Sequence, residues 1–132
     1  MIVLDSSAAV DFLLERGAEG EWVTEQLSKA QTVHAPHLID LEITSALRGL
    51  VRRRATTATR AETALADLAA MPLQRYPVTR LLTDIWALRE TMTSYDAAYV
   101  ALAEALGVRL VTTDARLARA AGRRVLVEAF TR

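Results

Sequence analysis

Short apolar runs that end on an acid, separated by long helical patterns, constrain this chain more than any other feature. Ile2-Val3-Leu4 closes on Asp5, and Leu110-Val111-Thr112-Thr113 closes on Asp114. Runs this short, with no polar alternation, read as strands buried on both faces, which is the pattern of a parallel sheet. Parallel strands require crossover connections, and the intervening segments carry helical periodicity. The expected fold class is therefore α/β: a three-layer sandwich around a central, mostly parallel, short-stranded sheet, with residues 1–132 forming a single domain.

The punctuation along the chain divides it further. Asp5-Ser6-Ser7 offers helix caps before an apolar stretch that Gly17 ends. An acid-rich helix is expected over 18–30, a strand over 32–35 stopped by Pro36, and a long helix over 38–54 with Ile39, Ile43, Ala46, Leu47 and Leu50 on one face. Further helices are expected over 57–70, 79–90, 94–106 and 115–121, with extended segments over 73–78, 108–112 and 124–127.

With 132 residues, 52% of them hydrophobic, the chain can bury about two-thirds of its unfolded surface. It has no cysteine, which excludes disulfides and thiolate zinc sites. The start Met1-Ile2-Val3-Leu4-Asp5 lacks a basic leader region, and no apolar run approaches the ~20 residues of a membrane span, so a cytoplasmic protein without a membrane partner is expected.

The net charge of +0 hides an asymmetry. Residues 1–47 hold eight acids against two bases, Arg16 and Lys29, whereas 48–132 hold eight acids against fourteen arginines. Either folding mixes the halves in space or they form separate surfaces for separate partners.

Four acids stand apart: Asp5, Glu42, Asp96 and Asp114. Asp5 and Asp114 each follow a strand and precede a helix, and Asp96 lies in the first turn of the helix expected from Ser94. Each of these three also suits an ordinary helix cap or helix dipole. Glu42 does not, because Leu38, Ile39 and Ala46 place it beside the buried stripe of its helix. Asp40 is the rival on that helix, with a more exposed setting. In a parallel sheet, ligands gather at the carboxyl ends of strands. Carboxylates crowded there repel one another, and a hard divalent cation such as Mg²⁺ or Mn²⁺ relieves this, acidifies water and clamps a phosphate. Ser6 and Thr112 are close enough in sequence to orient the acids through hydrogen bonds.

The ordered runs Asp5-Ser6-Ser7, Glu42-Ile43, Thr93-Ser94-Tyr95-Asp96-Ala97-Ala98-Tyr99-Val100-Ala101-Leu102-Ala103 and Thr112-Thr113-Asp114 together resemble PIN-domain ribonucleases, in particular the VapC toxins of bacterial type II toxin–antitoxin pairs. The resemblance covers essentially the whole chain, and Tyr95-Asp96-Ala97-Ala98-Tyr99 is its most specific piece. It implies a metal-dependent endoribonuclease that uses Mg²⁺ or Mn²⁺ and leaves 5′-phosphate and 3′-hydroxyl ends. It also implies a homodimer, a VapB-type antitoxin partner and a higher assembly with it. Carried over by position, Asp5, Glu42, Asp96 and Asp114 form the catalytic acidic quartet, with Asp5 and Asp96 the direct metal ligands. Relatives carry a further acid or amide just after the fourth acid, where this chain has Arg116, a departure that bears on a second metal.

Other features have quieter readings. Arg116, Arg119 and Arg123 follow Asp114 on one helix and are candidates to hold an RNA backbone. Arg52-Arg53-Arg54 ends a helix, where positive charge suits the dipole. His34 and His37 are expected on the surface or in a turn, and Trp22 and Trp86 in core or dimer packing. Other classes fit the residues less well. A receiver-type signalling domain needs a lysine near its fifth strand, but the only lysine is Lys29. A PIN-like module used only for binding RNA or protein would not need the intact quartet.

Overall fold

The computed structural model describes residues 1–131. Five strands form one sheet: β1 (Ile2–Leu4), β2 (Val33–Pro36), β3 (Leu73–Tyr76), β4 (Arg109–Thr112) and β5 (Val127–Ala129). All pairings are parallel, in the order β3-β2-β1-β4-β5. The helices are α1 (Ser6–Leu13), α2 (Gly17–Lys29), α3 (Ile39–Arg52), α4 (Ala58–Ala70), α5 (Leu82–Ala87), α6 (Ser94–Leu106) and α7 (Ala115–Ala121). The expected sandwich is the observed one, with a sheet that is wholly parallel.

The strand order explains the layers. From β1 the chain moves outward to β2 and β3, then crosses back over the sheet to β4 and β5 on the other side. Crossovers are right-handed, so reversing the direction puts α1–α4 on one face and α5–α7 on the other. Accordingly α1 packs on α2 and α3, whereas α6 packs on β1, β2 and β4. The reversal at β1 and β4 opens a crevice at their carboxyl ends. A receiver domain has the order 2-1-3-4-5, so that reading is excluded.

β1 and residues 110–111 of β4 are fully buried, which explains their unbroken apolar sequence. Helix α6 is apolar nearly all round, with residues 97–103 all buried. Its alanines keep it slim enough to lie close to the sheet, and Tyr99 is the one large side chain in that stretch. Gly20 marks another close approach: a Cβ there would stand 2.7 Å from the Asp11 backbone oxygen. Gly107 ends α6 in the left-handed conformation, at φ 67°.

Several elements depart from the sequence reading. The helix expected over 79–90 is a 3₁₀ turn (Thr79–Leu81) followed by the short α5, because Leu88 and Arg89 already bond back three residues in tightening turns. The last strand is shifted to Val127–Ala129. Arg124 and Val125 still donate to the Ala121 carbonyl, and the chain becomes extended only when it can pair level with Leu110–Thr112. His34 is buried rather than exposed: Nδ1 bonds the Tyr76 hydroxyl at 2.6 Å and Nε2 bonds Thr32 Oγ1 at 2.8 Å. Burial lowers its pKa, so it sits in the sheet as a satisfied neutral ring. Trp22 packs its ring against Phe130. Trp86 is not in the core; it is exposed, with the Arg89 guanidinium 4.7 Å above its ring. Ala46, expected on the buried stripe of α3, faces a surface groove.

Candidate active site

The crevice at the end of β1 is built around Asp5. Its backbone is extended (φ −84°, ψ 170°) and its carboxylate caps α1 by accepting from Ala8 N at 2.9 Å. It also accepts from Ser7 Oγ at 2.9 Å and from Thr112 Oγ1 at 2.5 Å. Asp5 is therefore a helix cap and something more, because a cap needs neither the hydroxyl of Thr112 from β4 nor near-complete burial. Burial pushes its carboxyl up to about 7 against the pull of those hydrogen bonds, and the charge of Asp114 adds to the rise.

Glu42 reaches in from α3. The hydroxyl of Tyr99 donates to its Oε1 at 2.6 Å, and the Ser6 hydroxyl is near enough to ease its charge. Burial raises its pKa, the Tyr99 and Ser6 hydroxyls lower it, and the charge of Asp96 raises it again. Tyr99 lies three residues beyond Asp96, on the same face of α6. Its own pKa is raised, first by burial and then by the Glu42 carboxylate it serves.

Asp96 and Asp114 start α6 and α7. Asp114 caps α7 by accepting from Arg116 N and Leu117 N at 2.9 and 3.1 Å. One guanidinium nitrogen of Arg116 lies 3.0 Å from Asp96 Oδ2 and 3.6 Å from Asp114 Oδ2, joining the two helix starts. The structure thus brings all four acids into one electrostatic neighbourhood: Asp114 acts on Asp5, Asp96 acts on Glu42, and Arg116 ties Asp96 to Asp114.

The two residues expected to orient the acids divide the work differently from that expectation. Thr112 holds Asp5, whereas Ser6 serves Glu42 and Tyr99, and it is Ser7 that bonds Asp5. Arg119 does not touch the acids. With Arg116, Arg123, Thr91 and Ala120 it lines a separate hollow of about 370 Å³. Asp40, the rival acid on α3, points elsewhere and pairs with Arg75 at 2.8 and 2.9 Å.

Four participants were missed from sequence: Ser7, Tyr99, Thr113 and Asp11. Thr113 Oγ1 donates to Asp11 at 2.7 Å and bonds Ser7 Oγ at 3.2 Å, extending the network outward from Asp5. Tyr99 was detectable, since a tyrosine inside an alanine-rich buried helix needs a partner for its hydroxyl. Asp11 gave no signal, because its partner lies 102 residues away. Beside the acids runs a groove of about 630 Å³, lined by Ser6, Ser7 and Glu42 near the centre and by Arg16 and Arg53 farther out.

Whether such a site suits a divalent cation follows from its donors. Among the described residues, no three of the His, Cys, Asp and Glu side chains are grouped closely enough to hold a metal ion by themselves. The donors are all carboxylates, and Asp5 is buried where its charge requires compensation. That suits a hard ion held by one or two carboxylates and completed by water and a substrate phosphate, the usual manner of Mg²⁺.

The sequence and the fold match a known class. The family model of the PIN domain matches residues 2–123, and the chain belongs to that family. It is 45% identical over 117 residues to the VapC ribonuclease Mb0985 of Mycobacterium bovis, covering 89% of this chain and 88% of that protein. It is 40% identical over 128 residues to ribonuclease VapC12 of Mycobacterium tuberculosis, covering 97% and 98%. Its fold is similar to that of VapBC2 from Rickettsia felis, solved bound to a DNA fragment from their promoter, with a TM-score of 0.70 at 16% identity, covering 99% of this chain and 100% of that one.

Proposed function

We propose that this protein is a divalent-metal-dependent endoribonuclease, acting as the toxin of a toxin–antitoxin pair and held in check by a VapB-type antitoxin. The observation that carries the reading is the meeting of Asp5, Glu42, Asp96 and Asp114 at the switch point of a parallel sheet, in a chain 45% identical to a VapC ribonuclease. A single sheet and one hydrophobic core among the described residues support treating 1–132 as one domain. A homodimer and a higher assembly with the antitoxin belong to the same proposal and rest on the family resemblance. No helix of the described residues is long and apolar enough to cross a membrane, which fits the expected cytoplasmic setting.

In this reading Asp5 and Asp96 hold Mg²⁺ or Mn²⁺, with Asp114 close by. When bound, the ion supplies acidification of a water molecule and polarisation of a phosphate oxygen. The chain's own groups do the rest. Thr112, Ser7 and the Ala8 amide lock the Asp5 carboxylate in place. Tyr99 holds Glu42 by Oε1, and the burial that raises the Glu42 pKa suits this carboxylate to taking a proton. Arg116, Arg119 and Arg123 line the hollow beside the acids, where an RNA backbone phosphate can be held.

The purified protein is expected to cleave structured RNA only when Mg²⁺ or Mn²⁺ is added, leaving 5′-phosphate ends. Asp5→Ala and Asp96→Ala should abolish cleavage while circular dichroism shows a retained fold. An Asp96→Ala protein that cleaves as fast as the parent would sink the assignment.

A further inference from the structure

Arg116 stands at the boundary of two unlike places. On one side its guanidinium lies 3.0 Å from Asp96 and 3.6 Å from Asp114. On the other it lines the hollow of about 370 Å³ that it shares with Thr91, Arg119, Ala120 and Arg123. Its side chain is 61% exposed, so the ion pairs rather than burial hold it on the acidic side. Yet the carboxylates that hold it are among those the proposed metal site depends on. A guanidinium at 3.0 Å and a divalent cation on the same carboxylate repel each other and compete for its lone pairs.

We propose that Arg116 is an exchangeable counter-cation. It neutralises Asp96 and Asp114 while the site carries no metal, and it swings into the arginine-lined hollow, onto a nucleic-acid phosphate, once a divalent cation takes Asp96. This rests on the metal-site reading above. Two consequences follow. Divalent cations bind less tightly than the carboxylates alone would allow, since Arg116 has to be displaced. Metal and phosphate also assist one another, since each favours the arginine position that the other requires, and such coupling is reciprocal.

The test uses the intact protein and two readouts other than cleavage. The first is the Mn²⁺ dissociation constant at low salt, from the electron paramagnetic resonance signal of free Mn²⁺, for the parent, Arg116→Gln and Arg119→Gln. Both arginines are exposed, so each variant is expected to fold. Arg116→Gln should bind Mn²⁺ on the order of tenfold more tightly, from relief of the charge repulsion. Arg119→Gln, which removes the same charge without touching the acids, should behave as the parent. Equal Mn²⁺ affinity in parent and Arg116→Gln would overturn the proposal and leave the metal site standing. No Mn²⁺ binding by either would remove the metal-site reading, and this proposal with it.

The second readout is the fluorescence anisotropy of a labelled single-stranded DNA oligonucleotide, in EDTA and in Mg²⁺. The ratio of parent to Arg116→Gln affinity should be larger in Mg²⁺, where Arg116 is released to the phosphate. A ratio that does not change with Mg²⁺ would overturn the transfer.

Discussion

Replacing Asp5 with asparagine gives the sharpest test of the electrostatics. The Asp5 carboxyl is fully buried and pushed up to about 7, against 3.8 in its ordinary state, mainly by desolvation. Between those values the folded metal-free protein holds a proton that the unfolded chain has released. Stability therefore falls as pH rises from about 4 to about 7 and stays low above that. At about 1.36 kcal/mol per unit, the full cost above pH 7 is about 4 kcal/mol, of which about 3 kcal/mol develops between pH 5 and pH 8. That is a large share of the stability of a domain of this size. Asp11 and Glu42, also raised by burial, add a slope of the same sign. Asparagine cannot titrate, so Asp5→Asn should lose the Asp5 share of the slope and keep the rest. Urea unfolding in EDTA at pH 5 and pH 8 measures this, and the parent's midpoint should drop by about 2 M more than the variant's. Any hydrogen bond weakened by the amide shifts both pH values alike and leaves the difference intact. Added Mn²⁺ should restore the parent at pH 8 and not the variant, while the variant should be inactive on RNA. If the two proteins show the same pH dependence in EDTA, the picture of Asp5 as a strained buried acid is wrong.

Two further substitutions probe the supports of the site. Tyr99→Phe removes the donor to Glu42 Oε1, which should cost about 1–2 kcal/mol in thermal or urea unfolding. Because that hydrogen bond lowers the Glu42 pKa, its loss should also move the acid limb of the pH–rate profile to higher pH, and an unmoved limb would count against Glu42 as the proton acceptor. Gly20→Ala would ordinarily strengthen a helix, but here the new Cβ would lie 2.7 Å from Asp11 O and 3.0 Å from the Glu15 carbonyl carbon, both backbone atoms. Parting α1 from α2 should cost about 1–3 kcal/mol, so a Gly20→Ala protein that melts higher than the parent would show that the contact is looser than described.

Much of the fold was legible because it is written in short-range patterns. Unbroken apolar runs marked β1 and β4, and Asp5 and Asp114 marked helix starts. These signals act within four residues, where periodicity and capping chemistry operate. The departures came where tertiary pairing overrode them. β5 is placed by its register with β4, and the segment after Thr79 breaks into a 3₁₀ turn and a short helix closed by three-residue turns at Leu88 and Arg89. His34 shows the same effect: an exposed histidine by composition, it is buried because Tyr76 and Thr32 satisfy both nitrogens.

The site divides along the same line. Sequence by itself determined that acids would stand at the ends of β1 and β4 and at the start of α6, because strand ends and helix caps are local events. Only the tertiary structure decided what those acids are bonded to. Glu42 meets Tyr99 across 57 residues and Asp5 meets Thr112 across 107, each through the parallel crossovers that carry distant segments to one crevice. Arg116 is the plainest instance. From sequence it was a departure in a motif and a candidate for RNA. The fold sets its guanidinium between Asp96 and Asp114, since the starts of α6 and α7 meet where the sheet reverses and bring Arg116 to Asp96 across twenty residues of chain.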